Sequence, residues 1–309
     1  MRRVLVVALL LLGGWSVAAS QGQRTPEKRV RDIQNVRDNL YFISGGDTFE
    51  VGRHTFTGGN VAVFVTTTGV VLVDTMDPGL GEGILAQVRK VTDKPVTMII
   101  NTHTHRDHSG SNTEFPDPVE IVAHEATRAS MALTTCQPVT NCDAFKGENE
   151  KYLPQTTFED KLSLGNGKDQ IDLYYFGRGH TDGDAWVVFP AARAMHAGDM
   201  FARKYMPAVV FTNNGSATEY AQTLNRAVNE IQNVDTVIGG HTPIPVTWLD
   251  FQDFVDFYND FVSYVQQGKE AGENADQVAS AYTVPARYNG YFADPGRVRS
   301  NVEALFDGR

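Results

Sequence analysis

The fold of this chain is decided by one short stretch, His103-Thr104-His105-Arg106-Asp107-His108. It follows an apolar run at residues 96–100 that is rich in β-branched side chains and predicts a buried strand. Side chains alternate along a strand, so His103 and His105 point the same way and both imidazoles can reach one metal ion. Asp107 and His108 lie beyond the bend and can address a second ion. We therefore predict a metal site here and not a solvated polar loop.

The first twenty residues have the pattern of a secretory signal peptide. Arg2 and Arg3 precede an apolar run at residues 4–12, and small residues follow at 17–20. This order predicts cleavage after Ala19 or Ser20. The apolar run is too short for a comfortable membrane span, and an uncleaved N-terminal anchor is the alternative. We expect an exported protein, periplasmic or secreted, with no membrane contact after cleavage.

The charge of the chain argues against one class of partner. The 309 residues carry a formal net charge of −10, and loss of the two positive charges of Arg2 and Arg3 makes it −12. Phosphate binding needs clustered Lys and Arg side chains. We therefore expect no nucleic-acid partner.

The two cysteines, Cys136 and Cys142, stand close together in a segment with Pro138 and Asn141. In an oxidising compartment they can close a small disulfide loop. Two unpaired thiols are the alternative. Neither cysteine has the spacing from a histidine that would predict a zinc ligand.

Strand-like and helix-like patterns alternate along the chain. Strands are predicted at residues 41–43, 61–65, 70–73, 96–100, 121–123, 171–176, 185–189 and 234–238, and helices at about residues 80–91, 124–133, 216–231 and 247–267. Ser216 and Glu219 have the spacing of a capping box, and Gly268 suits the end of the last of these helices. Residues 134–160 have no clear period and predict a long surface excursion, either a lid or an insertion.

Three further candidate ligands each follow a strand-like run and stand beside glycine. They are His180 after Gly179, Asp199 after Gly198, and His241 after Gly239-Gly240. Glycine lets the backbone turn tightly, so that a side chain can enter a crowded site. Each signal is weak alone, but their shared position at strand ends makes them strong together.

With these residues in this order, the chain resembles the metallo-β-lactamase superfamily from about residue 38 to residue 245. The resemblance implies an α/β fold, an αββα sandwich with two metal ions at one edge. It implies a first zinc site of His103, His105 and His180, a second of Asp107, His108 and His241, and a carboxylate, Asp199, that bridges them. Asp74 resembles the aspartate that orients the histidine loop in this family, and such partners are expected around zinc sites.

The resemblance also divides the chain. Residues 1–20 are the predicted signal peptide and residues 21–37 an N-terminal extension. Residues 38–245 form the metallo-β-lactamase-fold domain, and residues 246–309 a C-terminal helical segment packed on that domain.

The chemistry of the ligands suits two Zn²⁺ ions per chain. Imidazole and carboxylate ligands without thiolate fit Zn²⁺, with Mn²⁺ or Fe as alternatives. Two close cations lower the pKa of a shared water and polarise a substrate carbonyl or phosphoryl oxygen. Asp107 is the predicted catalytic residue, because it can orient the attacking water or carry its proton. We predict a metal-dependent hydrolase that attacks an amide or ester carbonyl of a small-molecule substrate.

The presence of Asp at position 199 leaves the substrate class undecided. In this family the zinc β-lactamases that use a thiolate have Cys at this position and Lys three residues later, where this chain has Ala202. Aspartate is usual in the family's lactonases, thioesterases and phosphodiesterases. Export and the compact layout make β-lactamase-like activity the leading specific prediction. A non-hydrolytic iron protein of sulfur metabolism is the alternative from another class, and the oligomeric state stays open.

Overall fold

A computed structural model describes residues 29–46, 48–50 and 53–309. The predicted signal peptide lies outside these residues, as do residues 21–28 of the predicted extension. Among the described residues, no helix combines the length and the apolar character needed to cross a bilayer.

The strands form two mixed sheets and a separate hairpin. They are β1 (Gln34–Arg37), β2 (Leu40–Ile43), β3 (Thr48–Glu50), β4 (Arg53–Thr55), β5 (Val61–Val65), β6 (Val70–Val73), β7 (Val96–Ile100), β8 (Glu120–His124), β9 (Thr156–Phe158), β10 (Lys161–Leu164), β11 (Ile171–Tyr174), β12 (Trp186–Phe189), β13 (Ala194–His196), β14 (Thr236–Ile238) and β15 (Val246–Thr247). The first sheet has the order β1-β2-β5-β6-β7-β8-β9, the second has the order β10-β11-β12-β13-β14-β15, and β3 pairs with β4. Strands β6 to β9 run parallel, and β13 and β14 form the parallel pair of the second sheet.

The helices are α1 (Gly81–Val88), α2 (Arg106–Ser109), α3 (Glu125–Met131), α4 (Ala217–Glu230), α5 (Trp248–Glu270), α6 (Ala275–Ala281) and α7 (Pro295–Asp307). All except the single turn α2 contribute to the buried clusters on the outer faces of the two sheets. Short 3₁₀ turns lie at Asn112–Glu114, Cys142–Phe145, Gly147–Tyr152, Gly167–Asp169, Gly198–Phe201 and Phe211–Asn213.

Because side chains alternate along each strand, the buried side chains form three layers. Val61 and Val63 of β5 pack toward α1, while Ala62 and Phe64 of the same strand enter the space between the sheets. In β12, Trp186 faces helices α4 and α5, and Val187 faces the first sheet. This period of two is what a sheet buried on both faces requires. The predicted α/β class and αββα sandwich are confirmed.

The C-terminal helices share a core with the second sheet. Val298 and Val302 of α7 belong to the same buried cluster as Tyr220 of α4 and Phe251 of α5. The division of the chain at residue 245 stays a prediction.

Helices α3 to α7 begin with a side-chain cap, whereas α1 and α2 have none. Ser216 Oγ accepts a hydrogen bond from Glu219 N at the start of α4, but the Glu219 carboxylate pairs with Arg178. Only half of the predicted capping box therefore forms. Full boxes form at α5, where Thr247 and Asp250 bond each other's backbone and side chain reciprocally, and at α6, where Asn274 and Gln277 do the same.

Two local predictions were wrong. Helix α5 continues past Gly268 to Glu270, and Gly272, with φ +81°, follows its end. Gly268 is instead a close-packing position, since a Cβ there would lie 2.5 Å from Val278 Cγ2. Residues 134–160 are not simply a surface excursion. Cys142, Phe145 and Tyr152 are buried, and β9 pairs with β8 at the edge of the first sheet.

Candidate metal centre

The candidate ligands lie where strands of both sheets end. His103 to His108 follow β7 of the first sheet, and α2 begins directly after His105. His180 follows β11, Asp199 lies in the 3₁₀ turn after β13, and His241 follows β14, all in the second sheet. One edge of the sandwich thus collects side chains that are distant in sequence.

The structure brings all seven predicted residues together. Three groups have donor atoms within 4.8 Å of one another: His103 with His105 and His180, His103 with His108 and Asp199, and Asp107 with His108 and His241. His180 Nε2 lies 3.0 Å from His105 Nδ1 and 3.5 Å from Asp199 Oδ2. His241 Nε2 lies 3.3 Å from His108 Nε2, 3.2 Å from Asp199 Oδ1 and 3.4 Å from Asp107 Oδ2.

These separations fit metal ligation. Zinc–nitrogen bonds of about 2.1 Å in tetrahedral geometry place neighbouring ligand atoms about 3.4 Å apart. In addition, His103 Nδ1 contacts Thr102 Oγ1 at 3.0 Å, which leaves Nε2 to carry the lone pair. That atom is buried and has no hydrogen-bond partner among the described residues. A buried lone pair facing other imidazoles is what a metal ion would satisfy.

The electrostatics of the cluster favour a bound cation. Burial, followed by the neighbouring imidazoles, holds the pKa of His103 and of His105 well below the usual value. Both rings are therefore neutral and able to ligate. Burial lowers the pKa of His108, but the carboxylates Asp107, Asp199 and Asp74 outweigh it and raise the pKa to about 10. In the metal-free chain these carboxylates attract positive charge to this point.

Asp74 orients the histidine loop, as the resemblance implied. It is fully buried, accepts hydrogen bonds from Thr102 N at 2.8 Å and Thr102 Oγ1 at 2.7 Å, and accepts from His108 Nδ1 at 2.7 Å. The last bond places the proton of a neutral His108 on Nδ1, so that Nε2 keeps its lone pair.

Two glycines are required because the ligands approach the backbone closely. A Cβ on Gly59 would lie 2.3 Å from the His108 ring, and a Cβ on Gly240 would lie 2.0 Å from Asp199 Oδ1. No real Cβ can occupy either place. Gly240 belongs to the glycine pair noted beside His241 in the sequence.

Sequence reasoning missed Asn60, which ties its own loop to the loop around His241 and to the end of β13. Its Nδ2 donates to Gly239 O at 2.7 Å and to Thr242 O at 2.8 Å, on either side of His241. Its own carbonyl accepts from His196 Nε2 at 3.1 Å. A single asparagine before a strand has no spacing that would reveal this role.

The turn that carries His180 has its own support. His180 Nδ1 donates to Ala208 O at 2.6 Å, which leaves Nε2 for the centre. The buried Asp184 carboxylate accepts from Thr181 N and Thr181 Oγ1, both at 2.7 Å. Asp184 thus stabilises the turn, whereas Asp182 is bonded outside it by Asn214.

A cleft of about 500 Å³ adjoins His241. Its walls combine the side chains of Arg31, Arg203 and Lys204 with apolar residues such as Ile244. The Phe56 ring lies 5.6 Å from the His241 ring. The cleft can therefore hold an organic molecule that carries both an apolar body and a negative charge.

The structure pairs Cys136 with Cys142 in a disulfide. The loop it closes lies beside α2, so it is part of the surroundings of the centre.

Comparison with known proteins places this site in a family. The sequence profile of the Metallo-beta-lactamase superfamily matches residues 54–241, which span all seven candidate ligands. The chain belongs to the metallo-β-lactamase superfamily. It is accordingly a metal-dependent hydrolase, as the sequence predicted.

Relatives in this superfamily carry more than one name. A protein from Elizabethkingia meningoseptica named Metallo-beta-lactamase type 2 is 27% identical over 265 residues, which are 85% of this chain and 96% of that protein. The 2,4-dinitroanisole O-demethylase subunit alpha from Nocardioides sp. (strain JS1661) is 30% identical over 140 residues, 43% of this chain and 38% of that protein.

Solved structures show the same fold at low identity. A metallo-beta-lactamase from Pontibacter korlensis superposes with a TM-score of 0.59 at 18% identity and covers 75% of this chain and 99% of its own. A stereoselective inverting sec-alkylsulfatase from Pseudomonas sp. superposes with a TM-score of 0.68 at 14% identity and covers 90% of this chain and 50% of its own.

Proposed function

We propose that this protein is an exported dinuclear zinc hydrolase with β-lactamase-like activity. His103, His105 and His180 would hold one ion, Asp107, His108 and His241 the other, and Asp199 would bridge both. One observation carries the proposal: these seven side chains converge, and their separations are close to the distance between ligand atoms in a tetrahedral zinc site.

The residues of the chain have distinct parts in the reaction. When bound, the zinc ions lower the pKa of water and polarise the substrate carbonyl. The Asp107 side chain is one-quarter exposed, more than Asp199 or His241, so it is the carboxylate that substrate and water can reach. It would orient the attacking water and take up its proton. Asp199 would balance the charge of both ions from a buried position.

Two observations support a β-lactam as the leading substrate. The Elizabethkingia meningoseptica relative named a metallo-beta-lactamase aligns over nearly its whole length. Arg203 and Lys204 also line the cleft beside His241. Either cation could take the place of the lysine that the thiolate β-lactamases have where this chain has Ala202. Lys204 is held by Asp250 at 2.7 Å and Arg203 stacks 4.2 Å from the Tyr205 ring, so these cations have fixed places in the wall.

The test combines metal analysis with a substrate panel on the purified mature protein. We expect about two zinc ions per chain and hydrolysis of a β-lactam in a panel that also holds a lactone, a thioester, a phosphodiester and a secondary alkyl sulfate. Asp107→Asn should lower kcat roughly 10²- to 10⁴-fold, the usual contribution of general acid–base catalysis. Asp172→Asn replaces a buried carboxylate on β11 that is bonded to Ser163; it is the matched control and should keep its kcat.

Defined results would overturn the proposal. A single redox-active iron per chain would support the non-hydrolytic alternative. If an ester in the panel is hydrolysed and the β-lactam is not, the protein is still a hydrolase but its substrate is not a β-lactam. Export is tested by intact mass, because a mature chain from the periplasm should begin after residue 19 or 20.

A further inference from the structure

The disulfide closes a ring that contacts the ligand loop at several points. Cys136 and Cys142 enclose residues 137–141. From inside this ring, Val139 O accepts a hydrogen bond from Arg106 N at 2.9 Å, and Thr140 forms an isolated antiparallel bridge with His105. Asn141 Nδ2 donates to Ser109 O at 3.2 Å. The ring thus contacts both ends of α2.

Helix α2 depends on such outside support. It has four residues, and its N-cap, His105, makes no side-chain capping bond. One helical turn is far below the length at which a helix is stable by itself. Yet this turn and its cap carry three candidate ligands, His105, Asp107 and His108. Their placement therefore depends on whatever holds the backbone at residues 105–109.

The ring is anchored on its other side in the core. Cys142 is fully buried, and Phe145, in the same 3₁₀ turn, packs in the cluster beneath the first sheet with Phe115 and Ile121. Val139 has φ +63°, a left-handed conformation that is unfavourable for a β-branched side chain. Its side chain is 56% exposed, so apolar burial does not hold it there. The turn bonds from Thr140 to Gln137 O, the bond to Arg106 N and the closed ring constrain this backbone.

We propose that the Cys136–Cys142 ring is a positioning element for the metal centre, and that Asn141 is its positioning residue. The ring transmits the rigidity of the core to the backbone of residues 105–109. It thereby holds His105, Asp107 and His108 at ligating separations before metal binds. This inference rests on the proposed ligand roles of those three residues.

The first test measures amide exchange in the metal-free protein. In the double variant Cys136→Ser/Cys142→Ser, protection of the Arg106 amide should fall at least tenfold. The Thr102 amide, which donates to Asp74, should change little, because it lies outside the contacts of the ring. Exchange resolves such local openings from global unfolding.

The second test measures zinc affinity by competition with a chromophoric chelator. Asn141→Ala leaves the disulfide intact and removes the bond to Ser109 O, so it separates positioning from folding. We expect the dissociation constant for zinc to rise about tenfold, as for other residues that orient metal ligands. Gln137→Ala is the matched control, since it lies in the same ring and Gln137 bonds Thr140 through its carbonyl alone.

The outcomes separate this inference from the proposed function. Equal loss of protection at Arg106 and Thr102, with unchanged zinc affinity in Asn141→Ala, would make the disulfide a general staple and overturn the inference. A wild-type chain that binds no zinc would instead overturn the proposed function, and the exchange at Arg106 would still decide whether the ring holds α2.

Discussion

Asp74 illustrates, at the scale of single residues, how the centre depends on groups beside the ligands. Its carboxylate receives three hydrogen bonds in a fully buried position. It adopts φ +62°, a conformation that a non-glycine residue tolerates only when its surroundings enforce it. Both features indicate that the contacts with the histidine loop require aspartate at position 74.

Replacement of Asp74 by alanine should weaken zinc binding about 10- to 100-fold, because Thr102 and His108 lose their common acceptor. Titration with a competing chelator measures the change. Asp172→Ala, which removes a carboxylate that is about 8% exposed and lies on β11, is the control and should bind zinc as the wild type does. Equal zinc affinities for the two variants would show that Asp74 does not orient the ligands.

The candidate ligands could be predicted from the sequence, and Asp74 through the resemblance, but the other residues that hold them could not. His103 to His108 can be recognised because a metal site needs several imidazole and carboxylate side chains at short spacing. His180, Asp199 and His241 can be recognised because each follows a strand-like run and has glycine beside it. Asn60 and Gly59 act through contacts with residues far along the chain, such as Thr242 and His108. No local pattern records such contacts.

At the scale of elements, the contact between α5 and α6 shows how packing can override a local signal. Glycine predicts the end of a helix, yet Gly268 lies within α5 because Val278 of α6 occupies the space of its missing Cβ. Likewise, residues 134–160 lack periodicity but hold buried Phe145 and Tyr152. The strands and helices with a clear period, such as β7 and α4, were therefore predicted, whereas short strands such as β10 and the irregular segments were not.

Gly268→Ala should lower the free energy of unfolding by about 1 to 2 kcal/mol, because overpacking against buried Val278 exceeds the gain in helix propensity. In a Val278→Ala background the clash disappears, and the same substitution should stabilise by up to about 1 kcal/mol. Urea unfolding of the four proteins measures both values. A stabilising effect in both backgrounds would show that the close contact is unimportant.

At the scale of the whole molecule, the centre joins the two sheets. One set of candidate ligands follows β7 of the first sheet, and the candidates His180, Asp199 and His241 follow strands of the second. Metal that binds only the folded chain stabilises it by about 2.7 kcal/mol at a concentration of 100 times Kd. The fold thus provides the site, and the bound ions would in turn stabilise the fold.

Removal of metal should therefore lower Tm by roughly 5 to 10 °C, given the usual relation between stability and Tm for a chain of this size. Differential scanning calorimetry with and without a chelator measures the shift. In His180→Ala/His241→Ala the chelator should have little effect, because each ion has lost a ligand. An equal chelator effect in this variant would place the stabilising metal elsewhere.

The two glycines that face the ligands also set a limit on how this enzyme can diversify. Gly59 and Gly240 admit no side chain, so the positions next to the candidate ligands do not accept substitution. Ile244 in the wall of the cleft is 59% exposed, and exposed positions accept most replacements within about 0.5 kcal/mol. New specificities can therefore arise by exchange of residues around the entrance while the chemistry beneath stays unchanged. Natural variation among descendants of this chain should concentrate at Ile244 and Phe56 and avoid the glycines.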